Sequence, residues 1–403
     1  MVFVAPLAQA GCAPPREDRR PVPHRWWPAV KASAHGAQSA LDAMSGWGSQ
    51  SALGSMCGRG SRLKRRLTYA AGRVLHESGA FRSLQRLTLP EAVSIAMYHG
   101  LTEQPLPVRD WCFTSAASFS QQMEYLARYF DVMHLEEALS PSRPPAKRPV
   151  ACITFDEGFA GVHDYALPVL ERLGLPATVY LVTDLVDSGE TVWSARLHQA
   201  ITDTRAGRVT LGQRRFALDD GHTRESASAK LQLLLKALPR GPFEAALADV
   251  LEQLGFDGPR QVPPRPAFAI LSSTQIARMS RDDVVRFGGH TATHQILTHT
   301  SPERACWEIE RSIQAVARWV ARPSASFAYP NGGEADFDQE AVTGLRRLGI
   351  RYAVTTIEGP NDRHTDPYRL RRYGIGADDP LARFAGLMHH GRAAMDRLLR
   401  RTP

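Results

Sequence analysis

The sequence predicts an α/β fold of parallel β/α units interrupted by a helical insertion, and three observations carry that prediction. Short apolar, β-branched runs such as Val150–Phe155 and residues 177–182 read as buried strands. Helical stretches with short loops separate such runs, the rhythm that parallel strands joined by crossover helices require. Between residues 190 and 272 this rhythm lapses, and helical patterns stand without strand alternation.

Residues 1–60 are rich in Ala, Gly, Pro, Ser and Arg and show no apolar periodicity. Such a stretch buries too little to offset its ordering entropy, so a disordered N-terminal extension is expected; an over-extended gene start, with Met56 as the true beginning, is the alternative. The segment ending Ala8-Gln-Ala-Gly-Cys12 is like a lipoprotein cleavage site. It lacks a basic leader and has a very short apolar run, so no signal peptide is expected. Residues 61–90 form a basic helical segment, with Leu63, Leu67, Ala70 and Val74 at helical spacing among Lys64, Arg65, Arg66 and Arg73. A helix covering one end of the domain is the favoured reading; peripheral contact with a membrane surface through 61–87 is the alternative.

The main domain is expected over residues 91–376. It opens with a buried strand at 93–99 ended by Gly100, an amphipathic helix at 119–129, a short strand at 132–135 and a helical turn at 135–139. A proline-rich linker at 141–149 leads to Val150–Phe155. The helix predicted at 162–173 contains Pro168, which calls for a kink, and Gly174 stops it. After the 177–182 strand comes the insertion, with helices at 227–238 and 242–254. Strands at 284–288, 326–329 and 351–355 then alternate with helices at 302–321 and 337–348. A strand-like piece at 368–373 precedes a C-terminal helix at 380–400, within the final segment 377–403.

The net charge of +8 would suit an anionic polymer, but no aromatic-basic stripe or zinc-finger spacing accompanies it, so no nucleic-acid partner is expected. The five cysteines are scattered and never form a CxxC pair, which argues against a disulfide framework or a cysteine zinc site. No run approaches the roughly 20 apolar residues that span a bilayer. The expected compartment is the cytoplasm; contact with the inner membrane surface belongs to the alternative reading of 61–87.

Three polar constellations follow predicted strands. Thr154-Phe-Asp156-Glu157-Gly158 sets two carboxylates at a strand's C-terminal end, the end that carries active sites in parallel β/α barrels. Taken alone, Asp156 would read as a helix cap and Glu157 as a solvated acid. His290-Thr-Ala-Thr-His294 puts two imidazoles on one face if the segment is helical. With one carboxylate they would hold a metal and leave coordination positions open, whereas local packing at a helix start is the plainer reading. His299 is treated as incidental. Phe327-Ala-Tyr-Pro-Asn331-Gly-Gly333 is a turn whose N–H groups could stabilise a tetrahedral oxyanion, or simply a βα connection.

A TFD(D/E)G turn, an HxxxH segment and an FAYPNG turn in this order resemble the NodB-homology polysaccharide deacetylases, carbohydrate esterases that remove N- or O-acetyl groups. The resemblance covers residues 93 to 376. It extends to Met97-Tyr98-His99, Ala166-Leu-Pro-Val-Leu170, Leu175-Pro-Ala-Thr-Val179 and Trp193-Ser-Ala-Arg-Leu197, the last two fitting a subgroup with a helical insertion. It implies a distorted (β/α) barrel, an acetylated polysaccharide or oligosaccharide substrate and a divalent metal. Zinc is the expected ion, with cobalt or iron fitting the same ligands. It also implies Asp156 as general base, Glu157, His290 and His294 as metal ligands, and the Asn331 N–H as an oxyanion donor. Glu157 stands where an aspartate is usual, and Ala328 where the commoner third motif has an arginine that orients the catalytic aspartate. Arg372 resembles a late arginine of the FAYP-bearing subgroup and would supply that contact; a surface arginine on an edge strand is the alternative. Leu387-Met-His389 matches the letters of a general-acid motif but falls inside a predicted helix, so the general acid stays unassigned. Glu157 and Ala328 also support a competing reading, a carbohydrate-binding protein of this fold with weak or lost turnover. Hydrolysis of a small amide by the same site is a third.

Overall fold

The computed structural model describes residues 77–256, 264–377, 379–391, 393, 394 and 397. The N-terminal extension and most of the basic helical segment lie outside the described residues. Of that segment, the structure shows α1 (Ala80–Thr88), which leads into β1 (Val93–Tyr98), buried at every position as a strand covered on both faces must be. A short parallel pair, β2 (Gly100–Thr102) and β3 (Phe113–Ser115), precedes α2 (Ala116–Tyr129), whose first turn Ser115 caps by accepting the Ser118 N–H. Next come β4 (Asp131–Val132), α3 (Leu135–Ala138) and β5 (Val150–Phe155), again buried throughout.

Residues 162–173 stay helical without a break: Val162–Ala166 makes a π-helical turn that runs into α4 (Leu167–Leu173), and Pro168 sits just past that turn, where its missing N–H is accommodated. After β6 (Ala177–Leu181), the insertion holds α5 (Trp193–Asp203), α6 (Gly221–Lys236) and α7 (Arg240–Gln253). These pack on a core of their own around Leu197, Leu231 and Val250. The expectation of helices alone is corrected here by an antiparallel hairpin, β7 (Arg208–Leu211) with β8 (Arg214–Ala217). Gly212, at φ 62, takes the first of its two loop positions, where a tight hairpin turn needs a positive φ. The arginines at 208, 214 and 215 hide the strand pattern, because only Val209 in the pair is fully buried.

The β/α rhythm resumes with α8 (Ser273–Met279), β9 (Val285–Gly289), α9 (Pro302–Trp319), β10 (Ser326–Ala328), α10 (Gln339–Arg347) and β11 (Tyr352–Val354). The strand-like piece at 368–373 shrinks to β12 (Tyr373–Gly374) and a single bridge at Leu370. The predicted C-terminal helix breaks early: α11 spans Leu381–Met388, and His390 turns to φ 53. No helix among the described residues is long and apolar enough to cross a membrane.

The main sheet runs β11-β10-β9-β6-β5-β1-β12 with every pair parallel, and β4 pairs with β5 at Val150 and Ala151, below the reach of β6. Residues 370–374 join its two edges. Leu370 bridges to Val354 of β11, and Tyr373–Gly374 pair with Ala96 and Met97 of β1, so the sheet curls into a distorted barrel. Alternate residues show the curl. Ile95, Cys152, Tyr180, Ala328, Val354 and Leu370, from strands far apart in the sheet order, pack together inside. Their neighbours Ala96, Ile153, Val179 and Phe287 face outward onto helices α2, α4 and α9. Gly288 faces inward, and no side chain fits there: a Cβ would lie 2.5 Å from the Ser326 carbonyl oxygen. By the same period of two, Thr154 and Asp156 continue the inward row of Val150 and Cys152.

Candidate active site

Each predicted motif sits in the turn that follows a barrel strand, and each turn holds a non-glycine residue in the left-handed region: Glu157 (φ 63), Thr291 (φ 62), His294 (φ 63) and Asn331 (φ 61). Such conformations cost of order 1–3 kcal/mol each and persist only where their surroundings enforce them. After β5 the chain reverses sharply, with the Gly158 N–H donating to the Asp156 carbonyl at 2.8 Å. That turn swings Glu157 to the same space that Asp156 faces.

The two histidines do not share a helix face, which corrects the expectation. Residues 290–294 form a bent, non-helical loop, its backbone polar groups taken up by neighbouring backbone instead of by helical bonds. The Thr183 and Asp184 N–H groups donate to the carbonyls of Thr291 and Ala292 at 3.3 and 2.9 Å, and the Ala292 N–H donates to the Glu308 carbonyl at 3.1 Å. The loop still brings the rings together, with centroids 5.0 Å apart.

Glu157, His290 and His294 each offer one ligand atom, and these atoms all lie within 4.8 Å of one another. His290 Nδ1 donates to the Ala328 carbonyl at 2.8 Å, which fixes the tautomer and leaves Nε2 as the lone-pair donor. Burial pulls this imidazole down to about pKa 4 against the opposing pull of Asp156, so it is neutral near pH 7, as a ligand must be. Burial also resists ionisation of Glu157, but the neighbouring His99 and His294 outweigh it and hold the carboxyl below its ordinary range. One Glu157 oxygen stands 3.5 Å from His294 Nε2. The other is buried with no hydrogen-bond partner among the described residues. A cation would answer that orphaned oxygen, so the residues present fit a divalent metal ion.

Arg372 is wholly buried, not a surface arginine on an edge strand. Its guanidinium grips Asp156 with two parallel bonds of 2.7 Å, while Nε donates to the Thr355 carbonyl at 2.7 Å. The barrel-closing segment thus delivers to Asp156 the contact that Ala328 cannot make. Burial opposes the Asp156 charge, yet Arg372 and then His290 outweigh it and keep the carboxyl well below the usual range. In the third turn the Asn331 side chain donates to Asp336 at 2.7 Å and its carbonyl accepts from Thr356 at 2.7 Å. The Asn331 N–H has no acceptor among the described residues.

His99 falls in the resembling Met97-Tyr98-His99 stretch, but the sequence assigns it no role. It follows Tyr98, which pairs with Phe155, so it stands beside Asp156. Its ring meets Trp111 edge to face at 5.0 Å, and its buried Nδ1 has no partner among the described residues. The signal was present, since a polar residue at a strand's end is the feature that singled out Asp156. The insertion reaches this corner: Ser194 and Gln232 line a narrow cleft together with His99 and Glu157. His389 lies at the opposite end of the barrel, bonded to Tyr125 at 3.0 Å and to Gln85 at 2.5 Å, and cannot serve the site. His299 is outside the ligand group. Cys112 and Cys152 are free thiols.

A family model described as polysaccharide deacetylase matches residues 143–199 and 263–353. The matched stretches contain Asp156, Glu157, His290, His294 and Asn331; the gap between them falls in the insertion, and Arg372 lies beyond. No curated protein matches the chain. Among solved structures, it is similar to the deacetylase PplD of Streptococcus pyogenes (18% identity, 74% of this chain and 98% of that one, TM-score 0.49). It is also similar to BC0361, a polysaccharide deacetylase from Bacillus cereus (18%, 74% and 69%, 0.48), and to IcaB from Ammonifex degensii (16%, 74% and 97%, 0.47). With the family match resting on the very segments that supply the three turns, the chain belongs to the polysaccharide deacetylase family and is a hydrolase.

Proposed function

We propose that the protein removes N-acetyl groups from a polysaccharide or its oligosaccharide precursor with one divalent cation, zinc by preference, held by Glu157, His290 and His294. The observation that carries this reading is the orphaned Glu157 oxygen, buried beside two imidazoles whose ligand atoms lie within 4.8 Å. When bound, the ion would polarise the acetyl carbonyl and lower the pKa of water.

The chain's own residues divide the remaining work. Asp156 accepts the proton of the attacking water. Arg372 occupies one lone-pair site on each of its oxygens, and the others stay free to accept. The Asn331 N–H, aimed by the left-handed turn, donates to the oxyanion of the tetrahedral intermediate. His99, with an unpaired Nδ1, is placed to hand a proton to the leaving amine. Ser194 and Gln232 of the insertion form the wall against which the sugar would rest.

Acetate release from N-acetylated and O-acetylated oligosaccharides by the zinc-loaded protein tests the reading. Release from the N-acetylated series is expected, with His99→Gln lowering kcat by about 10²- to 10⁴-fold. Acetate from the O-acetylated series alone would replace N-deacetylation by ester hydrolysis. A metal-loaded protein that binds oligosaccharide and frees no acetate would favour the binding-protein reading.

A further inference from the structure

Glu308 is an acidic side chain of α9, outside the catalytic group and wholly buried. Its carboxylate is turned to the histidine loop. Oε2 accepts the Thr293 N–H at 2.9 Å, and Oε1 accepts the Thr293 hydroxyl at 2.7 Å. Its main-chain carbonyl accepts the Ala292 N–H at 3.1 Å. One residue therefore holds two of the three residues that separate His290 from His294.

That grip falls where the backbone needs it. Thr291 and His294, on either side of the held pair, are both left-handed, and a β-branched threonine there is a true outlier. Bonds from Thr183 and Asp184 restrain the loop's carbonyls from one side, and Glu308 restrains its N–H groups from the other. The carboxylate is itself aimed. Arg304, one helical turn earlier, donates to Oε1 from Nε at 3.0 Å and from Nη2 at 2.7 Å, charge-assisted contacts of the strong kind. Arg240, the first residue of α7 in the insertion, approaches the same oxygen to 3.8 Å.

We propose that Glu308 is a positioning residue of the metal site: aimed by Arg304, its carboxylate locks the Ala292–Thr293 pair so that His290 and His294 present to one cation. The proposal rests on reading Glu157, His290 and His294 as metal ligands. Groups that orient metal ligands typically change affinity by about 10- to 100-fold when altered.

The test is zinc affinity by chelator competition for wild type, Glu308→Gln and Thr293→Val, beside thermal unfolding of each metal-free protein. Glu308→Gln keeps the shape but cannot accept at both atoms, and about 10- to 100-fold weaker binding is expected. Thr293→Val removes only the hydroxyl bond of an exposed side chain, so a several-fold loss in the same direction is expected. A residue that merely supported the fold would lower the unfolding temperature and leave the affinity alone; that outcome overturns the proposal. If Glu308→Gln does not fold, Thr293→Val decides, and an unchanged affinity overturns the proposal there too. A wild-type protein that takes up no zinc overturns the metal site itself, before any variant is compared.

Discussion

Asp156→Asn is expected to lower kcat for acetate release by about 10²- to 10⁴-fold, the range attached to a positioned general base. Asparagine fills the same volume beneath Arg372 but cannot take up a proton. Asp156 is not among the three residues whose ligand atoms converge, so the variant should still bind metal. That combination separates the base from the ligands, since loss of His290 or His294 would remove metal and turnover together. Activity within tenfold of wild type would take the base role away from Asp156.

Arg372→Met is expected to act on stability first. Arg372 is fully buried and the Asp156 side chain is 3% exposed, so removing the guanidinium leaves a carboxylate in the interior with its main partner gone. Breaking a buried pair from one side costs about 3–5 kcal/mol, readable at neutral pH by urea unfolding. The pair also has a pH signature. Asp156 is depressed from 3.8 to about 2 in the folded protein, so its contribution is fully present above about pH 4. It is lost as the pH falls toward 2, because the unfolded chain takes up the proton first. In Arg372→Met that acid loss should shrink or reverse, as burial alone raises the carboxyl. A stability loss under about 1 kcal/mol would mean that Asp156 finds another partner.

The barrel was legible where chemistry repeats. Strands buried on both faces are short apolar runs, and β1, β5 and β6 could be read to within a residue or two for that reason. The closure was not legible, because it depends on one bridge at Leu370 and a two-residue strand, too little sequence to carry a period. The same shortness left Arg372 undecided between a buried partner and a surface charge. The histidine pair was legible as residue types four apart, but the left-handed turns at Thr291 and His294 answer to restraints from 183–184 and Glu308, over 100 and 14 residues away from His294. In sequence Glu308 reads as half of an ordinary i,i+4 ion pair with Arg304. Only the packing of α9 under the loop makes it a buried clamp.

The central claim is that Glu157, His290 and His294 hold one catalytic cation, and metal content by elemental analysis tests it without knowledge of the substrate. The purified protein is expected to carry about one zinc-like ion per chain, as a single three-ligand site implies, and His290→Ala/His294→Ala to carry none. A wild-type protein that stays empty after incubation with zinc, cobalt and iron would contradict the account.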